Sequence, residues 1–298
     1  MPAKLRKGGK IAIVGLASAG DKNLLDQAVT NIKNYGYDVE IDPTCFLNWH
    51  GFAGSDQERA KALNRLFADN SINAIMAMRG GFGSIRILDQ IDYSVIKKNS
   101  KIFIGFSDIT SLHMAFFSQA QLQTIHGPMA ISNFAQKDDI TAQSLFSLMG
   151  GQTKTLLSEL NILKNGTAKG VLIGGNLTVL MSGLGTKYDV DFKGKILFLE
   201  DIGEASYRID RMLTQLLLMG RLQGLKGIIL GNFKNCNSSG NELSLQEIFE
   251  EKFSRFNIPV VYNAAVGHCT PNLSLPFGTE VLLDTQSKTL TLIGNAVR

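Results

Sequence analysis

The feature that most constrains the fold is the alternation of short apolar runs with helix-like segments in the first half of the chain. Apolar runs at residues 11–16, 73–78 and 102–106, and a further predicted strand at residues 37–41, alternate with amphipathic segments such as residues 23–35. Strands that are apolar throughout are buried on both faces, so the pattern predicts an α/β fold in which helices flank a parallel sheet. Ligands bind such sheets beyond the carboxyl ends of the strands, so the residues that follow each apolar run are the first candidates for a site.

The length of the chain and a change in its pattern predict two domains. At 298 residues it exceeds the usual size of a single core. Residues 151–169 are weakly patterned and are interpreted as a linker between an N-terminal α/β domain, residues 1–150, and a C-terminal domain, residues 170–298. The closing strands of the second half have hairpin-like spacing, which predicts a smaller, mixed and more β-rich unit.

Composition and charge exclude several classes of protein. The chain has 30 basic and 26 acidic residues, a net charge of +4, too small and dispersed to indicate binding of nucleic acid or of a membrane surface. Its three cysteines form no Cys-x-x-Cys pair, so neither a disulfide framework nor a zinc site is indicated. The apolar run at residues 11–16 is shorter than the ~7–15 residues of a signal-peptide core. No segment approaches the ~20 apolar residues of a membrane span, and we expect a soluble cytoplasmic protein.

Ser107 lies where a predicted strand turns into a predicted helix. The run at residues 102–106 ends in Gly105-Phe106, and a helix is predicted over residues 111–120. A sharp turn of this kind can expose a serine hydroxyl at the carboxyl end of a sheet, beside backbone N–H groups able to form an oxyanion hole. A serine that only caps the helix, with Asp108 in the first turn, is the alternative.

A serine nucleophile needs a base and an orienting acid, and few residues qualify. Of the four histidines, His268 follows an apolar strand inside a polar loop and is bracketed by Gly267 and Pro271, which restrict its backbone. Glu200 lies at the tip of the apolar run at residues 195–199, where an unpaired carboxylate is costly to bury. These two residues are the candidate base and acid.

Two glycine-rich turns could bind anions. Arg79–Ser84 follows an apolar strand, and its N–H groups could cradle a phosphate, an oxyanion or a substrate carboxylate. The spacing matches neither the dinucleotide-binding fingerprint nor the P-loop. Gly174-Gly175-Asn176 leaves the same alternatives open.

Six motifs in order resemble the LD-carboxypeptidase family, serine peptidases that include muramoyltetrapeptide carboxypeptidases and microcin C self-immunity proteins. They span nearly the whole chain and are Arg79-Gly80-Gly81-Phe82-Gly83, Gly105-Phe106-Ser107-Asp108, His126-Gly127-Pro128, Gly174-Gly175-Asn176, Leu199-Glu200-Asp201 with Tyr207-Arg208-Ile209-Asp210-Arg211, and Gly267-His268 with Leu275-Pro276-Phe277-Gly278. The resemblance implies a flavodoxin-like N-terminal domain, a smaller β-rich C-terminal domain and a homodimer.

The resemblance also implies the catalytic roles. Ser107 is expected to be the nucleophile, His268 the general base and Glu200 the carboxylate that orients the base. By triad chemistry, the oxyanion would then be bound by backbone N–H groups, for which Gly81 and Asp108 are the candidates. No metal or organic cofactor is expected, since a serine triad supplies its own nucleophile.

Cleavage of a C-terminal residue requires recognition of a free carboxylate. Arg79, Arg86 and the N–H groups of Gly80 and Gly81 are the candidates, and the sequence does not choose among them.

The predicted function is removal of the terminal D-alanine from murein tetrapeptides during cell-wall recycling. The alternatives are hydrolysis of a peptidyl or aminoacyl nucleotide, with Trp49 and Phe52 as the only hints of a nucleobase platform, and a non-enzymatic nucleotide-binding module. An α/β-hydrolase would share the order Ser, Glu, His, but Ile109 stands where its second glycine is required.

Overall fold

The computed structural model describes residues 1–298, which form two sheets and eight α-helices. The strands are β1 (Lys10–Val14), β2 (Asp38–Ile41), β3 (Ala74–Ala77), β4 (Ile102–Gly105), β5 (Thr124–His126), β6 (Thr155–Leu157), β7 (Asn161–Lys164), β8 (Thr167–Asn176), β9 (Lys195–Ile202), β10 (Gly227–Lys234), β11 (Val260–Tyr262), β12 (Leu275–Phe277), β13 (Glu280–Asp284) and β14 (Thr289–Leu292). The helices are α1 (Lys22–Asn34), α2 (Asp56–Ala68), α3 (Tyr93–Lys98), α4 (Thr110–Ala120), α5 (Asp139–Met149), α6 (Leu177–Gly183), α7 (Ser206–Leu218) and α8 (Leu245–Phe253). None of these helices combines the length and apolarity needed to span a bilayer.

The first sheet has the order β2-β1-β3-β4-β5-β12, and its first five strands are parallel. This order is that of a flavodoxin-like sheet. Every residue of β3 and β4 is buried, as expected for central strands covered by helices on both faces. The predicted α/β fold with a flavodoxin-like N-terminal sheet is confirmed.

The second sheet has eight strands in the order β6-β14-β13-β8-β9-β10-β11-β7. Strands β8 to β11 are parallel, and the remaining pairs are antiparallel, including the predicted closing hairpin of β13 and β14. The C-terminal half is therefore the mixed, β-rich unit that its spacing predicts.

Two features of the second half differ from the sequence analysis. Residues 151–169, predicted as a linker, contain β6 and β7, which lie at the two edges of the second sheet. No side chain of β7 is fully buried, so this strand lacks the apolar pattern by which the central strands were found. The second feature is β12, which leaves its own half and pairs antiparallel with β5 in the first sheet. The division into domains at these residues stays a prediction.

The two sheets are held against each other beneath their carboxyl ends. Ile104 of β4, Phe198 of β9 and Phe277 of β12 belong to one buried apolar cluster. The backbone N–H of Asn176 donates to Thr110 Oγ1 at 3.0 Å, so the end of β8 is bonded to the start of α4. The ends of β4 and β9 thereby face one another across a shared cavity.

Candidate active site

Ser107 occupies a strained turn between β4 and α4. Its φ is +61°, in the left-handed region that side chains other than glycine seldom adopt and that costs about 1–3 kcal/mol. A Cβ on Gly105 would lie 2.8 Å from Ile109 Cγ2, so the turn needs glycine at that position. The hydroxyl of Ser107 caps no backbone N–H of the helix. The structure thus favours the exposed-serine interpretation over the simple helix cap.

His268 links Ser107 to Glu200. Its Nε2 lies 3.1 Å from Ser107 Oγ, and its Nδ1 lies 2.6 Å from Glu200 Oε2. In the neutral ring, these partners require that Nδ1–H donates to the carboxylate while Nε2 accepts from the serine hydroxyl. The loop is fixed by Asn272, whose Oδ1 accepts from the N–H of Gly267 at 2.9 Å. The three predicted residues therefore form one hydrogen-bonded chain.

Glu200 is fully buried near the end of β9. Burial raises the pKa of its carboxyl group, and the hydrogen bond from His268 offsets part of that rise. Successive strand residues point to opposite faces, so the neighbouring Asp201 points away from His268. Asp201 instead accepts from Thr178 N–H at 2.9 Å and from Asn176 Nδ2 at 3.0 Å, at the start of α6. Only the first acid of this pair belongs to the site.

The glycine-rich loop after β3 lies directly against Ser107. A Cβ on Gly80 would lie 3.2 Å from Ser107 Oγ and 3.4 Å from the Asp108 nitrogen. The N–H groups of Gly80 and Gly81 donate to no other protein atom. They are therefore free to bind an oxyanion or a carboxylate next to the hydroxyl.

Asp108 is hydrogen-bonded to Ser84 at the end of the glycine-rich loop. Its buried carboxylate accepts from Ser84 N–H at 2.8 Å, and Ser84 Oγ donates to the Asp108 carbonyl at 2.5 Å. Burial raises the pKa of the Asp108 carboxyl group. Because the side chain is committed to Ser84, any contribution of Asp108 to an oxyanion hole would come from its backbone N–H.

A cavity of about 410 Å³ opens over the three residues. One wall comes from the first sheet and the other from the second; the lining residues are Arg79, Gly80, Gly81, Phe106, Ser107, Met129, Ser132, Asn133, Ile202, Lys234, Gly267, His268, Cys269 and Thr270. They include two cations, Arg79 and Lys234, and no carboxylate. Neither cation takes part in an ion pair within 4.0 Å. The cavity is therefore suited to an anionic ligand.

Other sequence candidates lie outside this cavity. Arg86 forms an ion pair with Asp56 at 2.9 Å on the protein surface, so it is not available to bind a substrate carboxylate there. His113 is fully buried and its Nε2 lies 2.8 Å from the Gly105 carbonyl, which braces the end of β4. His126 is also fully buried, and burial holds its pKa well below the usual range. Among the histidines, only His268 contacts Ser107.

The second glycine-rich turn is a packing feature and not a phosphate nest. A Cβ on Gly174 would lie 1.8 Å from the Phe198 carbonyl oxygen, and one on Gly175 would lie 2.4 Å from Thr110 Oγ1. The Asn176 side chain accepts from Val179 N–H and caps α6. These residues allow close approach of backbones and leave no space for a ligand.

Sequence reasoning missed Lys234. The apolar run at residues 227–230 marks only the first half of β10, which continues to Lys234 past an irregularity in its pairing with β9. The position of Lys234 at the end of a strand could have identified it, because residues at the carboxyl ends of parallel strands are candidates for a site.

Comparisons with known proteins agree with this geometry. Residues 11–127 match the family model for the LD-carboxypeptidase N-terminal domain, and residues 169–283 match that for its C-terminal domain. A Bacillus subtilis protein named "Probable murein peptide carboxypeptidase" is 38% identical over 98% of this chain and 93% of its own. The murein tetrapeptide carboxypeptidase of Pseudomonas aeruginosa is 31% identical over 97% of this chain and 95% of its own.

Two solved structures show the same architecture. The muramoyltetrapeptide carboxypeptidase from Oxalobacter formigenes superposes with a TM-score of 0.85 at 29% identity, covering 97% of this chain and all of that one. The wild-type microcin C7 self-immunity protein superposes with a TM-score of 0.94 at 24% identity, covering 100% of this chain and 99% of that one. At that identity the second likeness concerns the fold alone.

Proposed function

Since the chain belongs to the LD-carboxypeptidase family, we propose that it is a serine carboxypeptidase that releases the C-terminal D-alanine of murein tetrapeptides by cleaving an L,D-peptide bond. The single observation that carries this proposal is the hydrogen-bonded chain from Ser107 through His268 to Glu200, at the base of a cavity lined by unpaired cations.

The proposed mechanism uses Ser107, His268 and Glu200 as nucleophile, base and orienting acid. Nε2 of His268 takes the hydroxyl proton as Ser107 Oγ attacks the scissile carbonyl, and the carboxylate of Glu200 stabilises the resulting imidazolium. The tetrahedral intermediate collapses when the leaving D-alanine nitrogen takes that proton from Nε2. A water molecule, deprotonated in turn by Nε2, then hydrolyses the acyl-serine ester and regenerates the hydroxyl.

The loop Gly80–Gly81 and the backbone N–H of Asp108 are proposed to stabilise the oxyanion. Gly80 lies next to Ser107 Oγ, and a hole of this kind needs donors about 2.7–3.1 Å from the developing charge. Arg79 immediately precedes these glycines and is proposed to bind the terminal carboxylate. An exopeptidase requires this proximity, since the carboxylate of its substrate lies one residue from the bond that is cut.

Matched tetrapeptides that end in D-alanine or L-alanine test the proposal. With the carboxylate and the scissile carbonyl both held, inversion of the last α-carbon exchanges its methyl and hydrogen. The wrong isomer then meets the backbone of Gly80 and Gly81, and misplacement by about 1 Å can cost about 100-fold in rate. We expect kcat/KM to favour the D-isomer by that factor or more. Equal rates, or a preference for L-alanine, would overturn the proposal even if Ser107 were the nucleophile.

The geometry does not favour the nucleotide alternatives. Trp49 and Phe52 lie outside the cavity that contains Ser107, and Phe106, the one phenylalanine, tyrosine or tryptophan in its lining, is buried. The second glycine turn is filled by packing contacts.

We further propose a role in cell-wall recycling as a cytoplasmic homodimer that acts on a peptide and not on nucleic acid. This part rests on the family resemblance and on the net charge of +4, which is too small and too dispersed to indicate binding of nucleic acid.

A further inference from the structure

We infer that Arg59 is a positioning residue for the reaction: its buried guanidinium group fixes the glycine-rich loop, and with it the free N–H groups of Gly80 and Gly81 beside Ser107. The inference rests on the proposed function, in which these N–H groups stabilise the oxyanion, and it adds the side chain that keeps them in place.

Arg59 is fully buried on α2, and its guanidinium group joins three loops. Nη1 donates at 2.8 Å to the carbonyl of Gly83, in the glycine-rich loop, and at 2.8 Å to that of Leu16, just after β1. Nε donates at 3.2 Å to the carbonyl of Gly54, just before α2, and Nη2 forms an ion pair with Asp56. A buried cation requires partners of this kind, because an uncompensated charge is costly to remove from water. The guanidinium group is therefore held in one position, and it holds the Gly83 carbonyl there.

The glycine-rich loop needs contacts of this kind because its own backbone is permissive. Three of its residues are glycines, which lose more conformational freedom on ordering than any other residue, and Gly83 has a φ of +130°. Two N–H groups of the loop are held elsewhere, that of Phe82 by Ser18 Oγ at 3.1 Å and that of Ser84 by the Asp108 carboxylate at 2.8 Å. Arg59 holds the carbonyl of the residue between them through a charge-assisted hydrogen bond, which is stronger than a neutral one.

Arg59 can act on the reaction only through this loop. It is not among the residues that line the cavity, so it does not contact a substrate there. The loop itself touches both groups: a Cβ on Gly83 would lie 2.9 Å from Arg59 Nη1, and a Cβ on Gly80 would lie 3.2 Å from Ser107 Oγ. Misplacement of reacting groups by about 1 Å can cost about 100-fold in rate. Loss of the guanidinium group should therefore lower the rate although no group at the reacting atoms is changed.

The test uses Arg59→Met, which removes the guanidinium group and leaves an apolar side chain. We expect kcat for release of D-alanine to fall by about 30–100-fold and KM to change by less than about 3-fold, because donors to an oxyanion act mainly in the transition state. The second readout is the rate at which a fluorophosphonate labels Ser107 with loss of fluoride. This reaction also places an oxygen beside the N–H groups of the loop, so its rate should fall by a similar factor.

Arg221→Met is the matched control for loss of a partly or fully buried arginine. Like Arg59, Arg221 forms an ion pair with an aspartate, Asp189, and donates to a backbone carbonyl, that of Val190 at 3.2 Å. It lies in the second half of the chain and does not line the cavity. Its variant should lower the melting temperature as Arg59→Met does, while kcat and the labelling rate stay near wild type.

Arg59→Lys separates the buried charge from the hydrogen bonds. The lysine keeps a cation next to Asp56, but its single ammonium group cannot replace a planar fork that bonds three loops at once. We expect this protein to melt closer to the wild-type temperature than Arg59→Met. Its kcat and labelling rate should nevertheless remain about 10-fold or more below wild type, because the loop is no longer fixed.

Three results would overturn the inference while D-alanine release by the wild type still supported the proposed function. They are wild-type kcat and labelling rates in a folded Arg59 variant, equal losses of kcat in Arg59→Met and Arg221→Met, and failure of both Arg59 variants to fold, which would make Arg59 a residue of the fold alone. Labelling of Ser107 in a wild-type protein that releases no D-alanine would instead overturn the proposed function, and the labelling rates of the variants would still decide the role of Arg59. A wild-type protein that shows neither reaction would overturn both.

Discussion

Glu200 Oε2 lies 2.6 Å from His268 Nδ1, and the carboxylate that makes this contact is fully shielded from solvent. The other end of the imidazole reaches Ser107 Oγ, which lines an open cavity. The buried acid therefore holds the ring in one orientation while the opposite nitrogen remains accessible to substrate. Burial in this place raises the pKa of the Glu200 carboxyl group, because the charged form is separated from water.

The first prediction concerns stability against pH in Glu200→Gln. The folded protein holds the Glu200 proton more tightly than the unfolded chain, where the pKa is near its ordinary 4.5. The stabilising contribution of this group is therefore complete below pH 4.5 and is lost as pH rises through the raised pKa. We expect the free energy of unfolding to fall less between pH 4.5 and 8 in the variant than in the wild type, measured by urea denaturation at each pH.

The same variant should lose activity. The amide cannot stabilise the imidazolium, and kcat should fall by about 10⁴-fold, as for the acid of other triads. Glu204→Gln, at a residue outside the triad, is the control and should show neither effect. An identical pH dependence of stability in Glu200→Gln and the wild type would show that the acid is not the costly buried group described above.

The second prediction concerns the proposed nucleophile and the proposed base. Ser107→Ala and His268→Ala should each lower kcat by about 10⁴–10⁶-fold, and the double variant should be scarcely worse than either, because triad members act as a unit. Circular dichroism and melting temperature should show that both proteins still fold. Near-normal turnover in Ser107→Ala would disprove the catalytic assignment.

The third prediction concerns Gly267, the residue before His268. Its φ is +103°, and a Cβ there would lie 2.6 Å from Glu200 Oε2 and 2.8 Å from Glu200 Cγ. Gly267→Ala should displace the acid or the histidine loop and lower kcat by about 100-fold or more. Gly203→Ala is the control, because its φ of +73° is also positive but a Cβ there would meet no atom within 4 Å. Equal kcat values in the two variants would mean that the close approach to Glu200 is not needed.

The fourth prediction concerns the terminal carboxylate. Arg79→Gln should lower kcat/KM by about 10–100-fold on a tetrapeptide with a free C-terminal carboxylate. This factor corresponds to the loss of one hydrogen bond to a charged group. It should have little effect on the same peptide with a C-terminal amide. Arg86→Gln, which breaks a surface pair with Asp56, serves as the control and should leave the ratio of acid to amide unchanged. A wild-type enzyme that does not distinguish acid from amide would contradict the role of Arg79.

Local rules predicted much of the fold. The apolar runs became β1, β3 and β4, because a strand buried on both faces has to be apolar along its whole length. Ser55 and Glu58 have the sequence spacing of a capping box, and both of its hydrogen bonds are present at the start of α2 because they form within four residues. Features set by neighbouring residues were thus readable from the sequence.

The strand β12 was not readable in this way. Leu275 of β12 pairs with His126 of β5, which lies 149 positions earlier in the chain. No local pattern distinguishes the three residues of β12 from a loop. The edge strand β7 was not predicted from the sequence either, because a partly exposed strand has no continuous apolar pattern.

The kinds of residue at the site, and the turns that present them, could be predicted from local sequence. Which of these residues meet depends on the tertiary structure. The histidine at position 268 reaches Ser107 across 161 residues, strand alternation admits Glu200 and turns Asp201 away, and the register of β9 with β10 brings Lys234 to the cavity. Each of these contacts depends on pairing between distant segments, and pairing is fixed by how the whole core packs and not by any local sequence pattern.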